Sequence, residues 1–232
     1  MTLIQTNNPY NNIMKKARYI CLEGTEGVGK TTQTQKLVDH LRSKGYTVLH
    51  TKEPGTPHAP LTMLLRGVML DKQYDDQLTL LARELISQSI RSIHLEKVIA
   101  PAMETHDFIV QDRGILSGLA YGTACGNDAD WLVNMINKVV PNHLLINNNH
   151  VLYDNVIYLK GDIKAGLKKA QSCKQEFTAG DAMEAKGNSF LEKVGFNMNI
   201  MSQQFNTNII NVDGKNIDEV FTEMLRSLNL EN

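Results

Sequence analysis

Gly24-Thr25-Glu26-Gly27-Val28-Gly29-Lys30-Thr31 is a complete G-x-x-x-x-G-K-[ST] phosphate-binding loop, and what flanks it decides the fold. Before it, Arg18-Tyr19-Ile20-Cys21-Leu22-Glu23 reads as a buried strand. After it, Thr32 to Lys44 carries Leu37, Val38 and Leu41 at helical spacing, with Gly45 as its C-terminal cap. A strand, a glycine-rich turn and a helix in that order aim the N–H groups of the helix N-terminus at an anion. The loop therefore calls for a nucleoside triphosphate with Mg²⁺: Gly24 to Thr32 would wrap the phosphates, Lys30 would add a mobile cation, and the Thr31 hydroxyl suits the metal.

Outward from this loop, strand-like and helix-like stretches alternate. Strands are predicted at Tyr19 to Glu23, Thr47 to Thr51, Phe108 to Gln111, Val156 to Leu159 and Ile209 to Val212. Helices are predicted at 32–44, 61–69, 78–103, 116–122, 130–139, 163–172, 188–205 and 217–228. The fold class that follows is α/β, a P-loop NTPase with a five-stranded parallel sheet flanked by helices on both faces and a short lid. At 232 residues, with 42% apolar and 21% charged content, one domain over residues 17–232 is expected after a loose N-terminal extension at 1–16. The polar segments 142–155 and 173–187 read as insertions, the second as the lid.

A net charge of -1 argues against nucleic acid as a partner. Three scattered cysteines give neither a disulfide framework nor zinc spacing, and no apolar run is long enough for a membrane span, so a cytoplasmic setting is expected. In a doubly wound sheet ligands gather at the carboxyl ends of the strands. The phosphate loop, Lys52-Glu53-Pro54-Gly55 and Asp112-Arg113 all fall there. Asp112 supplies a carboxylate for a metal and Arg113 a guanidinium for phosphate, the pair that phosphoryl transfer requires.

These segments in order, Leu22 to Thr32, Thr51-Lys52-Glu53-Pro54-Gly55-Thr56 and Asp112 to Tyr121, resemble the thymidylate kinase family, whose patterns run E-G-x-[DE]-G-x-G-K-T-T, T-R-E-P-G-G-T and D-R-x-x-x-S-x-x-A-Y. The resemblance is clear to Tyr121 and faint beyond. It implies transfer of the ATP γ-phosphoryl group to dTMP, with Mg²⁺ as cofactor, small-molecule substrates and a homodimer packed through the long helices. By the same resemblance Lys30 holds the β- and γ-phosphates, Thr31 ligates Mg²⁺ and Asp112 orients the metal's waters. Arg113 clamps the acceptor phosphate and Glu26 accepts from the 3′-hydroxyl. Tyr121 excludes a ribose 2′-hydroxyl, Arg91 meets the pyrimidine 4-position, and Lys52, Glu53 and Ser117 complete the acceptor site.

The chain departs from the family at the acceptor. Ser87 stands four residues before Arg91 where the family has a stacking Phe, an interaction of about 0.5 to 1.5 kcal/mol. Gly114 replaces an aromatic and Gly122 a Gln, so the pocket is expected to be trimmed and open to another or a 5-modified pyrimidine deoxynucleoside monophosphate. In the lid, Lys168, Lys169, Lys174 and Lys186 stand where arginines are usual. Two further readings are a deoxynucleoside kinase with Glu53 as base and a non-catalytic ATP-binding module.

Overall fold

The computed structural model describes residues 17–141, 144, 152–173, 181–205 and 207–231. The extension expected at 1–16, most of the 142–151 stretch and the centre of the expected lid, 174–180, lie outside these residues. Among the described residues, five parallel strands form one sheet in the order β2-β3-β1-β4-β5: β1 is Arg18–Gly24, β2 Val48–Lys52, β3 Phe108–Asp112, β4 Asn155–Lys160 and β5 Thr207–Asn211. Each lies within two residues of its predicted place.

The central strand shows why the sheet is covered on both sides. Tyr19 and Cys21 point to one face, into a core with Leu49, Ile109, Leu95, Ile99 and Met103. Ile20 and Leu22 point to the other, against Leu37, Val38 and Leu41 of α1 (Lys30–Ser43) and Val220, Met224 and Leu228 of α9 (Ile217–Leu228). Period-two alternation with apolar residues at every position is what a strand buried on both faces requires. Ile20 and Leu22 are wholly buried, and burial of each contributes about 1.5 to 3 kcal/mol.

Helices α2 (Pro60–Leu70), α3 (Leu80–His94), α4 (Ala100–Thr105), α5 (Ile115–Cys125), α6 (Ala129–Val139), α7 (Ile163–Cys173) and α8 (Asn188–Gln204) match the remaining predictions with one correction. The single helix expected over 78–103 is interrupted by a wide turn at Leu95–Ile99. Pro101 lacks the N–H that would bond the carbonyl four residues back, and its ring crowds that carbonyl, so the preceding turn widens. Gly45 caps α1 as expected, with φ 88°. Among the described residues no helix is long and apolar enough to cross a membrane.

Register brings the three motifs together. Leu22 of β1 and Lys52 of β2 both pair with Asp112 of β3, so the strands end level and their carboxyl-terminal loops share one edge.

The trimmed pocket expected at Gly114 and Gly122 is corrected here. A Cβ on Gly114 would stand 2.2 Å from the Tyr153 hydroxyl and 2.9 Å from Cys21 Sγ. The space left by the missing aromatic is filled by Tyr153, which packs edge-on against Tyr19 at 4.8 Å and accepts a hydrogen bond from the Ile115 N–H at 3.3 Å. A Cβ on Gly122 would meet Leu132 Cδ1 at 2.8 Å and Glu84 Oε2 at 3.3 Å. These edges are repacked from elsewhere in the chain. Gly114→Ala is therefore expected to cost about 1 to 3 kcal/mol by overpacking, and Tyr153→Phe in the same chain to recover part of that loss. Chemical denaturation of both variants checks it, and a Gly114→Ala protein as stable as the parent would refute the packing argument.

Candidate active site

A continuous cavity of about 780 Å³ runs along the shared strand edge, from the phosphate loop past Asp112 and Arg113 to Arg91 and Glu84 on α3. Its floor is set by backbone. Gly24, Gly27 and Gly29 have φ of 151°, 73° and 91°. At Gly27 a Cβ would come within 1.9 Å of the Gly166 carbonyl oxygen on α7, so only glycine permits that approach.

Lys30 is buried at the start of α1 and its ammonium donates to the Thr25 carbonyl. Burial, with the nearby Arg113 cation adding to it, pushes its pKa down to about 7. An ammonium held this way gains most from an anion placed in the loop. Thr31 Oγ1 donates to Asp112 Oδ2 at 2.8 Å, while Asp112 Oδ1 is buried without a hydrogen-bond partner. A hydroxyl beside a carboxylate with one unused oxygen is a hard-oxygen pair suited to Mg²⁺, which takes few protein ligands and fills the rest of its shell with water and phosphate.

Arg113 is the most constrained residue of the site. Its φ is 63°, a left-handed conformation that costs a side-chain-bearing residue roughly 1 to 3 kcal/mol. The surroundings hold it there: its N–H donates to the Leu22 carbonyl at 2.9 Å, and its own carbonyl accepts from Gln111 Nε2 at 2.8 Å. The guanidinium is thereby turned onto Glu26 Oε1 at 2.5 Å and Ser117 Oγ at 3.2 Å. Glu26 Oε1 also accepts from the Tyr121 hydroxyl at 3.0 Å, and the Tyr121 ring lies 5.8 Å from the Arg113 guanidinium. Burial raises the Tyr121 hydroxyl well above its usual range, so it remains a donor.

The next turn is fastened by Glu23, whose buried carboxyl accepts from the Gly114 N–H at 2.8 Å, the Ser117 N–H at 3.1 Å and the Ser117 hydroxyl. Burial, the largest influence on it, raises the Glu23 pKa against the pull of the Ser117 hydrogen bonds.

Further along the cavity, Arg91 is buried, not exposed on its helix. Its Nε donates to Glu53 Oε2 at 3.1 Å, and His94 Nδ1 lies 3.1 Å from Glu53 Oε1. Burial alone would raise the Glu53 carboxyl, but Arg91 and His94 outweigh it and hold it below its usual value. Lys52 is exposed at the cavity rim.

The structure thus gathers Gly27 to Thr32, Glu26, Lys52, Glu53, Arg91, Asp112, Arg113, Ser117 and Tyr121 around one cavity, with Gly24 and Thr25 forming the loop's first turn. Of the lid lysines, Lys169 lines the cavity, Lys186 sits 6.0 Å from the Phe190 ring, and Lys174 lies outside the described residues.

Sequence reasoning placed Glu23 in the strand and the motif but gave it no role, and it missed Glu84, Gln88 and Arg66. Arg66 on α2 donates to the Pro54 carbonyl at 2.9 Å and also faces the cavity, where the proximity of Arg113 contributes, after burial, to its lowered pKa. The Arg66 and Arg113 guanidiniums facing the same cavity suit it to an anion. No local pattern distinguishes Arg66 from a surface residue of an amphipathic helix.

Glu23→Leu strands three donors in a buried turn and is expected to cost about 3 kcal/mol, whereas Glu23→Gln, which can still accept and donate there, is expected to retain most of that stability. Urea titrations decide this, and equal stability of the Leu variant and the parent would refute the fastening role.

Comparison with known proteins gives the site its family. The sequence model described as thymidylate kinase matches residues 22–224. The thymidylate kinase of Finegoldia magna is 29% identical over 217 residues, covering 92% of this chain and 98% of that protein. That of Acinetobacter baumannii is 31% identical over 179 residues, covering 76% and 81%. The probable thymidylate kinase of Pyrococcus horikoshii is 37% identical over 125 residues, 53% of this chain and 60% of that protein. The crystal structure of thymidylate kinase from Ehrlichia chaffeensis superposes with a TM-score of 0.67, covering 91% of this chain and 98% of that one at 21% identity, which establishes likeness of fold. The resemblance read from the motifs is borne out, and the chain belongs to the thymidylate kinase family.

Proposed function

We propose that this protein transfers the γ-phosphoryl group of ATP to the 5′-phosphate of dTMP, giving dTDP and ADP. The observation that carries the reading is Arg113, held at φ 63° with its guanidinium between the phosphate loop and the Arg91 end of the cavity. An acceptor phosphate oxygen attacks the γ-phosphorus as the bond to the ADP oxygen breaks, and the phosphate dianion needs no base. Arg113 and Arg66 would hold the acceptor phosphate and meet charge on the moving group, with Lys52 at the rim. Lys30 would hold the β- and γ-phosphates. Thr31 and Asp112 would hold Mg²⁺, which supplies charge neutralisation on the triphosphate. Glu26 would exchange a contact with Arg113 for the 3′-hydroxyl of the acceptor, beside Tyr121, whose ring would stand against a 2′-hydroxyl. Ser117 positions the Arg113 turn, and Lys169, which lines the cavity, would approach the phosphates from the lid side.

The deoxynucleoside kinase reading needs Glu53 as a general base. Both its oxygens are engaged, and its pKa is held low, which makes it a poor one.

An ADP-release assay with ATP, Mg²⁺ and dTMP tests the proposal: turnover by the parent and a loss of about a thousandfold or more in kcat for Arg113→Ala, with ATP affinity retained, are expected. Absence of turnover on any pyrimidine monophosphate, or an Arg113→Ala enzyme as active as the parent, overturns it.

We also infer one domain over residues 17–232, a cytoplasmic setting in keeping with the free thiols of Cys21 and Cys125, and a homodimer. Leu61, Leu64 and Val68 of α2 and Leu81 and Leu85 of α3 are exposed on helices that pack together, an apolar face suited to a second copy. Sedimentation at micromolar concentration is expected to give twice the chain mass, and Leu64→Glu the single mass. A parent protein that sediments as one chain refutes the dimer.

A further inference from the structure

Helix α3 carries a buried polar stripe, Glu84, Gln88 and Arg91, at spacings of one and two turns on the face that lines the cavity. Their exposures of 7%, 3% and 3% make this an uncommon place for such side chains unless each finds a partner. Most of their groups do. Arg91 gives its Nε to Glu53 and its Nη1 to Gln88 Oε1 at 3.0 Å, and Gln88 Nε2 donates to Glu84 Oε1 at 2.6 Å.

The Gln88 amide can be oriented only one way by these neighbours, oxygen toward the guanidinium and nitrogen toward the carboxyl. Two groups are left over. Arg91 Nη2 stands 2.6 Å from where a Cβ on Gly118 would be, and Glu84 Oε2 stands 3.3 Å from the corresponding point on Gly122. Neither makes a hydrogen bond among the described residues. Both glycines lie on α5, one turn apart, and both line the cavity. Ser87, on the same wall, adds a hydroxyl where a stacking ring would have made it apolar.

The wall therefore offers a donor, Arg91 Nη2, and an acceptor, Glu84 Oε2, separated by one side-chain amide and its two hydrogen bonds. We propose that Glu84 is a specificity-determining residue of the acceptor site, reading a hydrogen-bond donor next to the 4-oxo group that Arg91 reads. The inference rests on the pyrimidine monophosphate reading above. A pyrimidine with a 4-oxo group and an adjacent donor complements this wall, and the donor can be the ring N3–H or the hydroxyl of a 5-hydroxymethyl group. Cytosine presents the reverse polarity, an amine at position 4 and an acceptor at N3, and is rejected because it leaves like groups facing each other in a buried site.

The test is Glu84→Gln, in which the amide oxygen can keep the Gln88 hydrogen bond while an NH₂ replaces the free acceptor, together with Glu84→Leu. Dissociation constants of dTMP, dUMP, 5-hydroxymethyl-dUMP and dCMP are measured by titration calorimetry, beside KM, kcat and thermal stability. For Glu84→Gln the expectation is a rise of about tenfold or more in Kd and KM for a 4-oxo nucleotide, with kcat and melting temperature little changed and dCMP binding not weakened. Equal losses for dTMP, dUMP and the hydroxymethyl nucleotide identify N3–H as the group read. Loss confined to 5-hydroxymethyl-dUMP identifies the hydroxyl. Kd values within twofold of the parent for every nucleotide in both variants, or dCMP weakened as much as dTMP, overturn the assignment. Binding does not require turnover, so a parent that binds 4-oxo nucleotides through Glu84 without phosphorylating them would refute the catalytic reading alone, and one that binds no monophosphate would refute both.

Discussion

Everything at the catalytic edge depends on the buried carboxyl of Glu23. It closes β1, where the phosphate loop begins, and accepts from the backbone of Gly114 and Ser117, which follow β3. The sheet ladder between β1 and β3 ends at Leu22 and Asp112, and beyond it the two loops are joined by side chains, of which Glu23 holds two backbone N–H groups. A carboxyl placed there costs desolvation, visible in its raised pKa, and that cost is offset because its donors are buried too and have no other acceptor. The consequence is positional. Arg113 lies between Asp112, the last paired residue of β3, and the fastened Gly114, and its left-handed backbone survives because the residues on either side cannot relax.

A second constraint follows from charge. Lys30, Arg66 and Arg113 converge on one cavity, the first and last compensated by the carboxylates of Glu26 and Asp112 and Arg66 by those of Asp181 and Glu184. The Glu26 to Arg113 contact is the exchangeable one, since Glu26 sits in a loop at the cavity wall while Asp112 is tied to Thr31. A phosphate entering the cavity gains from cations already largely withdrawn from water, Lys30 most of all, which is the physical basis of preorganised electrostatic catalysis.

How much of this was legible in the sequence follows from the range of each interaction. The strands, the phosphate loop and the Asp112-Arg113 pair are local patterns, and they fell where periodicity and motif spacing placed them. The wide turn before Pro101 was written in the sequence but masked by the apolar periodicity on either side of it. Residues that depend on distant partners were not legible. Glu23 meets Ser117 across 94 positions, and Tyr153 reaches Ile115 across 38, from inside the polar 142–155 stretch, which gave no sign of entering the core.

The acceptor wall shows why a motif comparison alone misjudges such a site. Small residues at Gly114 and Gly122 suggest an enlarged pocket if the surroundings are assumed unchanged. Packing does not leave methyl-sized voids beside a core, so each deletion draws in a neighbour: Tyr153 at the first, Leu132 and Glu84 at the second. The space beside each glycine is filled by groups of different chemistry. A ring position has become a phenol hydroxyl, and the Gly122 edge has gained a carboxyl oxygen. Specificity here is therefore set by which polar groups were imported to fill the space, and these can be found only from the three-dimensional neighbours of the glycines.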